Sequence, residues 1–159
     1  MRCAQGYYDT ADSGLRNEQG NLFILSRTDD VINVAGHRIS TSALEEALLE
    51  PAEVVEAAVV GLPDALKGQI PFGFVVLRAD AAAGGKEQHA AIVKRCVAHV
   101  RKTIGPVADL KKVIVVKKLP KTRSGKIARN TLAAKAAGKP YKARRTYILV
   151  HTFRLKFFM

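Results

Sequence analysis

The sequence predicts an α+β domain in which a small three-stranded sheet is packed against helices. Two apolar runs rich in β-branched residues, 54–61 and 70–77, have the length of buried strands. A third apolar run, 113–116, predicts one further strand. A segment with helical apolar spacing precedes the first run and another separates the second run from the third, and short strands interleaved with helices are typical of a mixed fold with one modest core.

The amino-terminal part of the chain predicts two hairpins. Within residues 6–27, the stretch 17–20 has turn composition and precedes the apolar run 22–25. In the second hairpin, over residues 31–39, Gly36 supplies the permissive backbone that a tight reversal needs.

A helix is predicted directly after the second hairpin. It begins in the cluster 40–42, where Ser42 and Glu45 have the spacing of a capping box, and it ends before Pro51. Its predicted buried face consists of small and aliphatic residues, namely Ala43, Leu44, Ala47 and Leu48.

Two later helices complete the domain, so the predicted order is ββ-α-β-β-α-β-α. The first of them follows the stretch 81–85 and ends at residues 105–106, Gly-Pro. The last is predicted over 124–137, with Ser124 capping its start and Gly138 marking its end. Apolar residues at helical spacing predict the buried face of the first: Val93, Cys96, Val97, Val100 and Ile104.

The charge of the chain is large and unevenly distributed. The 159 residues carry 26 basic and 14 acidic side chains, a net charge of +12 at pH 7. Residues 1–66 hold 11 acidic and 4 basic side chains, whereas residues 67–159 hold 3 and 22. An excess of this size favours an anionic partner, which we expect the basic part to meet. A nucleotide, a coenzyme phosphate, a nucleic acid and an acidic membrane all satisfy this condition.

Cysteine and histidine are too sparse for several classes of site. Cys3 and Cys96 cannot build a disulfide framework or a cysteine-rich zinc site, which favours a reducing compartment. No apolar run approaches the roughly 20 residues of a membrane-spanning helix, so no transmembrane segment is predicted. No metal site is predicted, because metal-ligand spacing is missing from the four histidines, His37, His89, His99 and His151.

Two polar runs concentrate groups that could bind an anion. In the run 120–126, a Gly-containing turn and Lys126 stand where a helix is predicted to begin, and helix starts attract anions. A solvated basic loop is the alternative interpretation. In the run 26–39, Arg27 and Arg38 could bond phosphate or ribose, whereas the aspartates 29–30 are equally well explained as turn caps.

Three motifs follow one another along the chain: GYYDTADSG over 6–14, SRTDDVINVAGHRI over 26–39 and KTRSGKI over 121–127. In this order they resemble the adenylate-forming enzymes, the superfamily of acyl-CoA synthetases, peptide-synthetase adenylation domains and luciferases. The resemblance covers residues 6–142 and is close for short-chain acyl-CoA synthetases of the acetyl-CoA and propionyl-CoA type.

The resemblance implies three parts of the chain. Residues 1–28 would be a β-hairpin remnant of a large AMP-binding domain, 29–142 the C-terminal domain of an AMP-binding enzyme, and 143–159 an atypical tail. The family's N-terminal domain, with its phosphate loop and acid pocket, has no counterpart in these residues. We therefore expect the isolated chain to be inactive and to need that domain as its partner.

The resemblance also implies roles in ATP use. Asp12 would bond the ribose hydroxyls, Arg27 the same ribose or its phosphate, and Arg38 a neighbouring part of the nucleotide. Asp29 would be the hinge about which the small domain rotates between two reaction steps. Lys126 would be the catalytic lysine that bridges the acid and the α-phosphate of ATP during adenylation.

The second implied substrate is coenzyme A. Ala35 and Gly36 would form the face past which its pantetheine arm runs, and Arg101 would meet its nucleotide phosphate; Arg101 is equally explained as an exposed residue of a polar helix face. The intact enzyme would be an acid-thiol ligase that uses ATP, coenzyme A and Mg²⁺. Mitochondrial matrix and cytoplasm are both compatible with the resemblance.

The charge leaves open a basic nucleic-acid- or anion-binding module without catalysis. Between Lys94 and Arg145 the chain has 17 basic residues and one acidic residue. Base-stacking surfaces require aromatic side chains among the basic groups, and residues 94–140 contain none. We therefore expect no specific nucleic-acid partner. A regulatory fragment that competes for a partner of the full enzyme is a third possibility that leaves no mark in the sequence.

Overall fold

The structure is a computed structural model that describes residues 3–4, 7–8, 10, 12–27 and 30–139. Its first strands form two separate antiparallel pairs: β1 (Cys3–Ala4) with β2 (Tyr7–Tyr8), and β3 (Asp12–Arg16) with β4 (Leu22–Arg27). The turn predicted over 17–20 is confirmed, because the Gly20 N–H donates to the Asn17 carbonyl over 3.0 Å. The tail 143–159 and the hinge residue Asp29 lie outside the described residues.

The main sheet has five strands. They are β5 (Val31–Val34), β6 (His37–Ser40), β7 (Val54–Asp64), β8 (Gly68–Leu77) and β9 (Lys112–Val115), in the order β6-β5-β8-β7, with β9 pairing β8 in parallel. The α+β class and the three central strands are confirmed. The predicted number of three strands is wrong, because the hairpin 31–40 joins the sheet where Val34 pairs with Gly68.

In the described part of the chain, four helices accompany the sheet: α1 (Thr41–Leu49), α2 (Ala79–Ala82), α3 (Lys86–Thr103) and α4 (Arg129–Ala136), with a 3₁₀ turn at Pro106–Ala108. The predicted order of strands and helices is confirmed, and the short α2 is an addition to it. Among the described residues, no helix combines the length and the apolar character that crossing a membrane requires.

The sheet is covered on both faces, which explains why β7 and β8 are continuous apolar runs and do not alternate. Val59 and Val75 belong to a core cluster with residues of α1 and α3, whereas Ala58 and Phe74 belong to a second cluster with Leu132 of α4. Neighbouring residues of each strand therefore serve opposite faces, and α4 forms the third layer.

The first helix begins within the predicted cluster 40–42, but its predicted capping box is wrong, and so is the predicted start of the last helix. No side-chain hydrogen bond caps α1, and Glu45, predicted to complete a capping box, bonds tertiary partners. On the same helix, Ala43 is exposed, while Thr41 joins the buried face. The last helix begins at Arg129 and not at Ser124, because the residues before it close a hairpin.

Candidate functional site

Lys126 lies on a tight hairpin whose stem is the bridge between Lys121 and Ile127. The Thr122 N–H donates to the Lys126 carbonyl over 2.8 Å, and the Lys126 N–H donates to Thr122 Oγ1 over 3.1 Å. Gly125, at φ +81°, supplies the left-handed residue that this reversal requires. The predicted Gly-containing turn is present, but it closes a hairpin and does not begin a helix.

The Lys126 side chain is exposed, and its ammonium makes no hydrogen bond or ion pair with any residue in the described part of the chain. The anion site predicted at a helix start is wrong in its geometry, since α4 begins three residues further on. The hairpin instead carries the exposed Lys126 ammonium on a backbone held by hydrogen bonds to Thr122. Such an ammonium can reach an anionic ligand without first giving up a protein partner.

Ion pairs anchor both ends of this hairpin to the rest of the domain. On one side, Lys121 Nζ donates to Glu56 Oε1 of β7 over 2.7 Å, with both side chains well exposed. On the other side, the Arg129 guanidinium donates to both oxygens of Glu45 in α1, at 3.0 and 2.8 Å from Nη2. The backbone that carries Lys126 therefore contacts β7 through an exposed ion pair, which constrains it little, and α1 through the better buried Arg129–Glu45 contact.

A second candidate region is the two-residue turn between β5 and β6. Ala35 has φ +50° and Gly36 has φ +87°, the pair of left-handed conformations that defines a type I′ hairpin turn. Both residues are exposed, and a Cβ added to Gly36 would have no atom within 4 Å. The turn therefore leaves a narrow open surface where a ligand chain can approach the backbone.

This turn is braced by the loop that joins β7 to β8. The Ala35 N–H donates to the Lys67 carbonyl over 2.8 Å, and Lys67 Nζ pairs with Asp109. Lys111 also pairs with Asp109, at 3.2 Å. The ammonium of Lys67, which donates to the carboxylate, holds the pKa of Asp109 below its ordinary value of 3.8, with a smaller contribution from Lys111.

The two regions are attached to opposite ends of β7. Lys121 contacts Glu56 near the start of the strand, whereas Asp64 at its far end pairs with Gly68, the residue that adjoins the Ala35 turn through Val34. The eight steps from Glu56 to Asp64 span about 27 Å at the ordinary rise of a strand. The lysine hairpin and the glycine turn are therefore connected to opposite ends of the same strand.

The remaining predicted site residues are Asp12, Arg27, Arg38 and Arg101, and Arg38 lies two residues beyond the Ala35–Gly36 turn. Asp12 and Arg27 are exposed partners at the open end of the β3–β4 hairpin, where they stand directly opposite each other. Arg38 is exposed on β6, and Arg101 is exposed in the last turn of α3. Asp12 and Arg27 are thus brought together, as one nucleotide-binding pair would require.

The β3–β4 hairpin also exposes an unusual amount of apolar surface. The exposed fraction is 74% for Leu22 and 70% for Ile24, and Leu15 and Phe23 are about half exposed. Apolar side chains projecting from both faces of a two-stranded hairpin cannot stabilise it alone. This surface is typical of a segment that packs against further protein.

No group of three or more His, Cys, Asp or Glu side chains in the described residues could hold a metal ion. Glu45 and Glu56, the carboxylates that pair with cations on either side of the Lys126 hairpin, are engaged by Arg129 and Lys121.

Sequence reasoning missed Glu45, Arg129, Lys67 and Asp109. Glu45 was assigned to a local cap, and its true partner is 84 residues away. Asp109 is the single acidic residue in a long basic stretch, and that isolation is the one signal that could have drawn attention to it.

Comparison with known proteins relates this geometry to a family. Residues 43–126 match the family described as AMP-binding enzyme C-terminal domain. The chain is 55% identical over 137 residues to the mitochondrial acyl-CoA synthetase short-chain family member 3 of Bos taurus, covering 86% of this chain and 19% of that protein. It is 45% identical over 135 residues to the acetyl-coenzyme A synthetase of Pyrobaculum aerophilum, covering 85% and 19%.

A solved structure gives the same relationship. The crystal structure of the Brucella canis acyl-CoA synthetase matches with a TM-score of 0.62 and 35% identity, covering 86% of this chain and 24% of that one. The chain spans about a fifth of the length of the curated relatives it matches. Because the family match covers more than half of its residues, the chain belongs to the AMP-binding enzyme C-terminal domain family found in acyl-CoA synthetases.

Proposed function

We propose that this chain is the lid of an ATP-dependent short-chain acyl-CoA synthetase, supplying the adenylation lysine and part of the coenzyme A face. The observation that carries the proposal is the ammonium of Lys126, which has no partner among the described residues and extends from a hairpin with ion-pair contacts on both sides. An exposed lysine whose backbone is fixed and whose ammonium has no protein partner among the described residues is suited to stabilise negative charge that develops only during the reaction.

In the first step, a carboxylate oxygen of the acid attacks the α-phosphorus of ATP. The bond from that phosphorus to the pyrophosphate oxygen breaks, and an acyl adenylate and pyrophosphate result. Two anions must approach each other, and negative charge builds on the phosphoryl oxygens. Lys126 Nζ bridging the carboxylate and the α-phosphate offsets this repulsion without being consumed.

In the second step, the thiol sulfur of coenzyme A attacks the acyl carbon. The thiol loses its proton, the bond from the acyl carbon to the AMP oxygen breaks, and acyl-CoA and AMP leave. The exposed Ala35–Gly36 turn suits the pantetheine arm, because Gly36 has no side chain and the space around its Cα is open. Arg101, exposed on α3, is assigned to the nucleotide phosphate of the coenzyme.

The separation of the two regions explains why the domain would rotate. Because the two regions are attached to β7 at points about 27 Å apart, we expect each to face the reaction centre in a different orientation of the domain. A rotation about Asp29 would withdraw Lys126 after adenylation and present Gly36 for thioester formation. Asp12 and Arg27 would hold the ribose, and Arg38 is assigned to the same nucleotide.

The exposed apolar side chains of the β3–β4 hairpin support the proposed domain division of the intact enzyme. Residues 1–28 would pack as part of a large AMP-binding domain, which supplies the acid pocket and most of the ATP site, and 29–142 would form the moving lid. Magnesium would arrive bound to the ATP phosphates and neutralise them. The names of the mitochondrial relatives favour the mitochondrial matrix over the cytoplasm.

The test is acyl-CoA formation from ATP, coenzyme A and acetate, propionate or butyrate. Four samples are compared: this chain, the large domain of the Bos taurus relative, the two mixed, and a fusion in which this chain replaces the matching residues. We expect activity in the fusion and none in either part alone. Lys126→Ala should lower adenylation by about 100-fold or more, whereas Arg123→Ala, an exposed cation of the same hairpin, should change it less than about 3-fold.

Two results would overturn the proposal. One is a folded fusion that forms no acyl adenylate with any of the three acids. The other is an equal loss in Lys126→Ala and Arg123→Ala, which would reduce Lys126 to general surface charge. Binding of anions by the chain alone, without any catalysis in the fusion, would favour a basic anion-binding module.

A further inference from the structure

Arg129 is the most extensively bonded cation near the lysine hairpin. Its guanidinium is 30% exposed and lies against Glu45, which is 13% exposed. Nε donates to Glu45 Oε1 over 3.3 Å, and Nη2 donates to Oε1 and Oε2 over 3.0 and 2.8 Å. Contacts from two guanidinium nitrogens to one carboxylate fix the orientation of both planes.

Glu45 is itself held in place from the sheet. Its Oε1 accepts the N–H of Val59 over 2.9 Å, and Val59 is fully buried in the middle of β7. The carboxylate therefore has a backbone donor on one side and the guanidinium on the other. This arrangement gives Arg129 a rigid support that neither α1 nor α4 would supply alone.

The path from Arg129 back to Lys126 is short and well packed. Ala128 is buried, and its N–H donates to the Pro120 carbonyl over 2.8 Å. Ile127 packs against the core cluster beneath α4. With both intervening residues fixed, a displacement of the Arg129 backbone is transmitted to the Lys126 hairpin and is not absorbed by a flexible linker.

The ion pair on the opposite strand of the hairpin, Lys121–Glu56, is weaker than the Arg129–Glu45 contact. The Lys121–Glu56 pair has side chains 44% and 38% exposed, and exposed ion pairs constrain little. Arg129 additionally lies 3.7 Å from Asp30, the residue beside the proposed hinge position. The firmer anchor of the hairpin is thus the one that also contacts the hinge segment.

We infer that Arg129 is a positioning residue for adenylation: through Glu45 it fixes the hairpin from which Lys126 extends. The inference rests on the proposed role of Lys126. It assigns Arg129 no contact with substrate. Misplacement of a reacting group by about 1 Å can cost about 100-fold in rate, so loosening this anchor should slow the step that uses Lys126.

The first experiment measures backbone hydrogen exchange in the 159-residue chain and needs no catalysis. Arg129→Met should speed the exchange of residues 121–128 by about 10-fold or more relative to the core strands. Lys121→Met, the matched loss of the other anchor, should change it less than about 3-fold. Arg129→Lys, which keeps the charge but not the planar fork, should lie between the two.

The second experiment measures each half-reaction in the fused synthetase. Arg129→Met should lower kcat for adenylation by about 10- to 100-fold with little change in KM for ATP. Thioester formation from pre-formed acyl adenylate should change less than about 3-fold, since that step does not use Lys126. Arg129→Lys should restore part of the lost adenylation.

The outcomes separate the two proposals. Unchanged exchange in Arg129→Met overturns the inference, whatever the fusion does. Equal losses in both half-reactions also overturn it, because Arg129 would then support only the general fold. A wild-type fusion that is inactive contradicts the proposed function, and the exchange measurement still decides whether Arg129 fixes the hairpin.

Discussion

Glu45 of α1 and Arg129 of α4 form a charge-assisted contact at 2.8 and 3.0 Å, although they are 84 residues apart. The pair ties the first helix to the last, and the Val59 N–H adds β7 to the same carboxylate. One acidic side chain thus connects both helical layers with the sheet between them.

Glu45→Ala should lower the free energy of unfolding by about 2 kcal/mol. The substitution leaves the Val59 N–H without its acceptor and the Arg129 guanidinium with only Asp30, at 3.7 Å. Partial exposure of Arg129 limits the loss. Glu56→Ala removes the exposed pair with Lys121 and should cost at most about 1 kcal/mol. Urea unfolding of the 159-residue chain provides both values, and equal losses would contradict the structural difference between the pairs.

Gly73→Ala tests the packing where β8 meets β9 and α1. A Cβ at Gly73 would lie 3.1 Å from Val113 Cγ2 and 3.3 Å from Leu48 Cδ1, so the core must shift. We expect a loss of about 1–3 kcal/mol in the free energy of unfolding.

Gly85→Ala is the control for this packing effect, because its Cβ would meet no atom within 4 Å and the residue has φ −74°. Its effect should stay below about 1 kcal/mol, because the only expected cost is that of alanine at the N-cap of α3. Thermal unfolding of both variants decides the matter. A Gly73→Ala variant as stable as Gly85→Ala would mean that the contact between β8, β9 and α1 is looser than described.

The parts of the fold that follow from local pattern were predictable. The runs that became β7 and β8 have strand length and β-branched content, and these properties do not depend on which elements cover them. The joining of β5 to the sheet was not predictable, since it depends on the single pairing of Val34 with Gly68. Nothing in the residues of the hairpin itself specifies that partner.

The site shows the same division between local and tertiary information. Lys126 and Gly36 could be singled out because each lies in a compact motif with its own turn chemistry. The predicted start of α4 at Ser124 is wrong. Serine is a common N-cap residue, but here Thr122 and Gly125 close a hairpin that includes Ser124, so the helix begins only after it. Glu45 was misassigned because Arg129 outcompetes a local capping partner from the other end of the domain.

Ala35→Asn should stabilise the domain. Ala35 occupies the left-handed region at φ +50°, which costs an alanine about 1 kcal/mol, whereas asparagine tolerates it. The variant would place Asn-Gly in a type I′ turn, the preferred pair for this geometry. We expect a gain of about 0.5–1 kcal/mol in urea unfolding.

Gly36→Ala is the opposite change at the next position. Gly36 has φ +87°, and the space around an added Cβ is open, so the cost is one of backbone conformation alone. A loss of about 1 kcal/mol is expected. If Ala35→Asn destabilised the domain as much as Gly36→Ala does, the turn could not be of type I′.

Asp109 should make the domain sensitive to acid. Its pKa is lowered in the folded state, chiefly by the donating Lys67 ammonium, so its stabilising contribution is complete above the ordinary pKa of 3.8. The contribution is lost as the pH falls through the lower folded pKa.

Comparing the unfolding free energies of wild type and Asp109→Asn should therefore give a difference that is constant from about pH 8 to pH 5 and shrinks below about pH 4. Asparagine suits this position because Asp109 has φ +46°, a backbone conformation that asparagine tolerates. NMR titration of the Asp109 carboxyl group tests the cause directly. A titration midpoint at or above 3.8 would show that Lys67 does not pair with the carboxylate in solution.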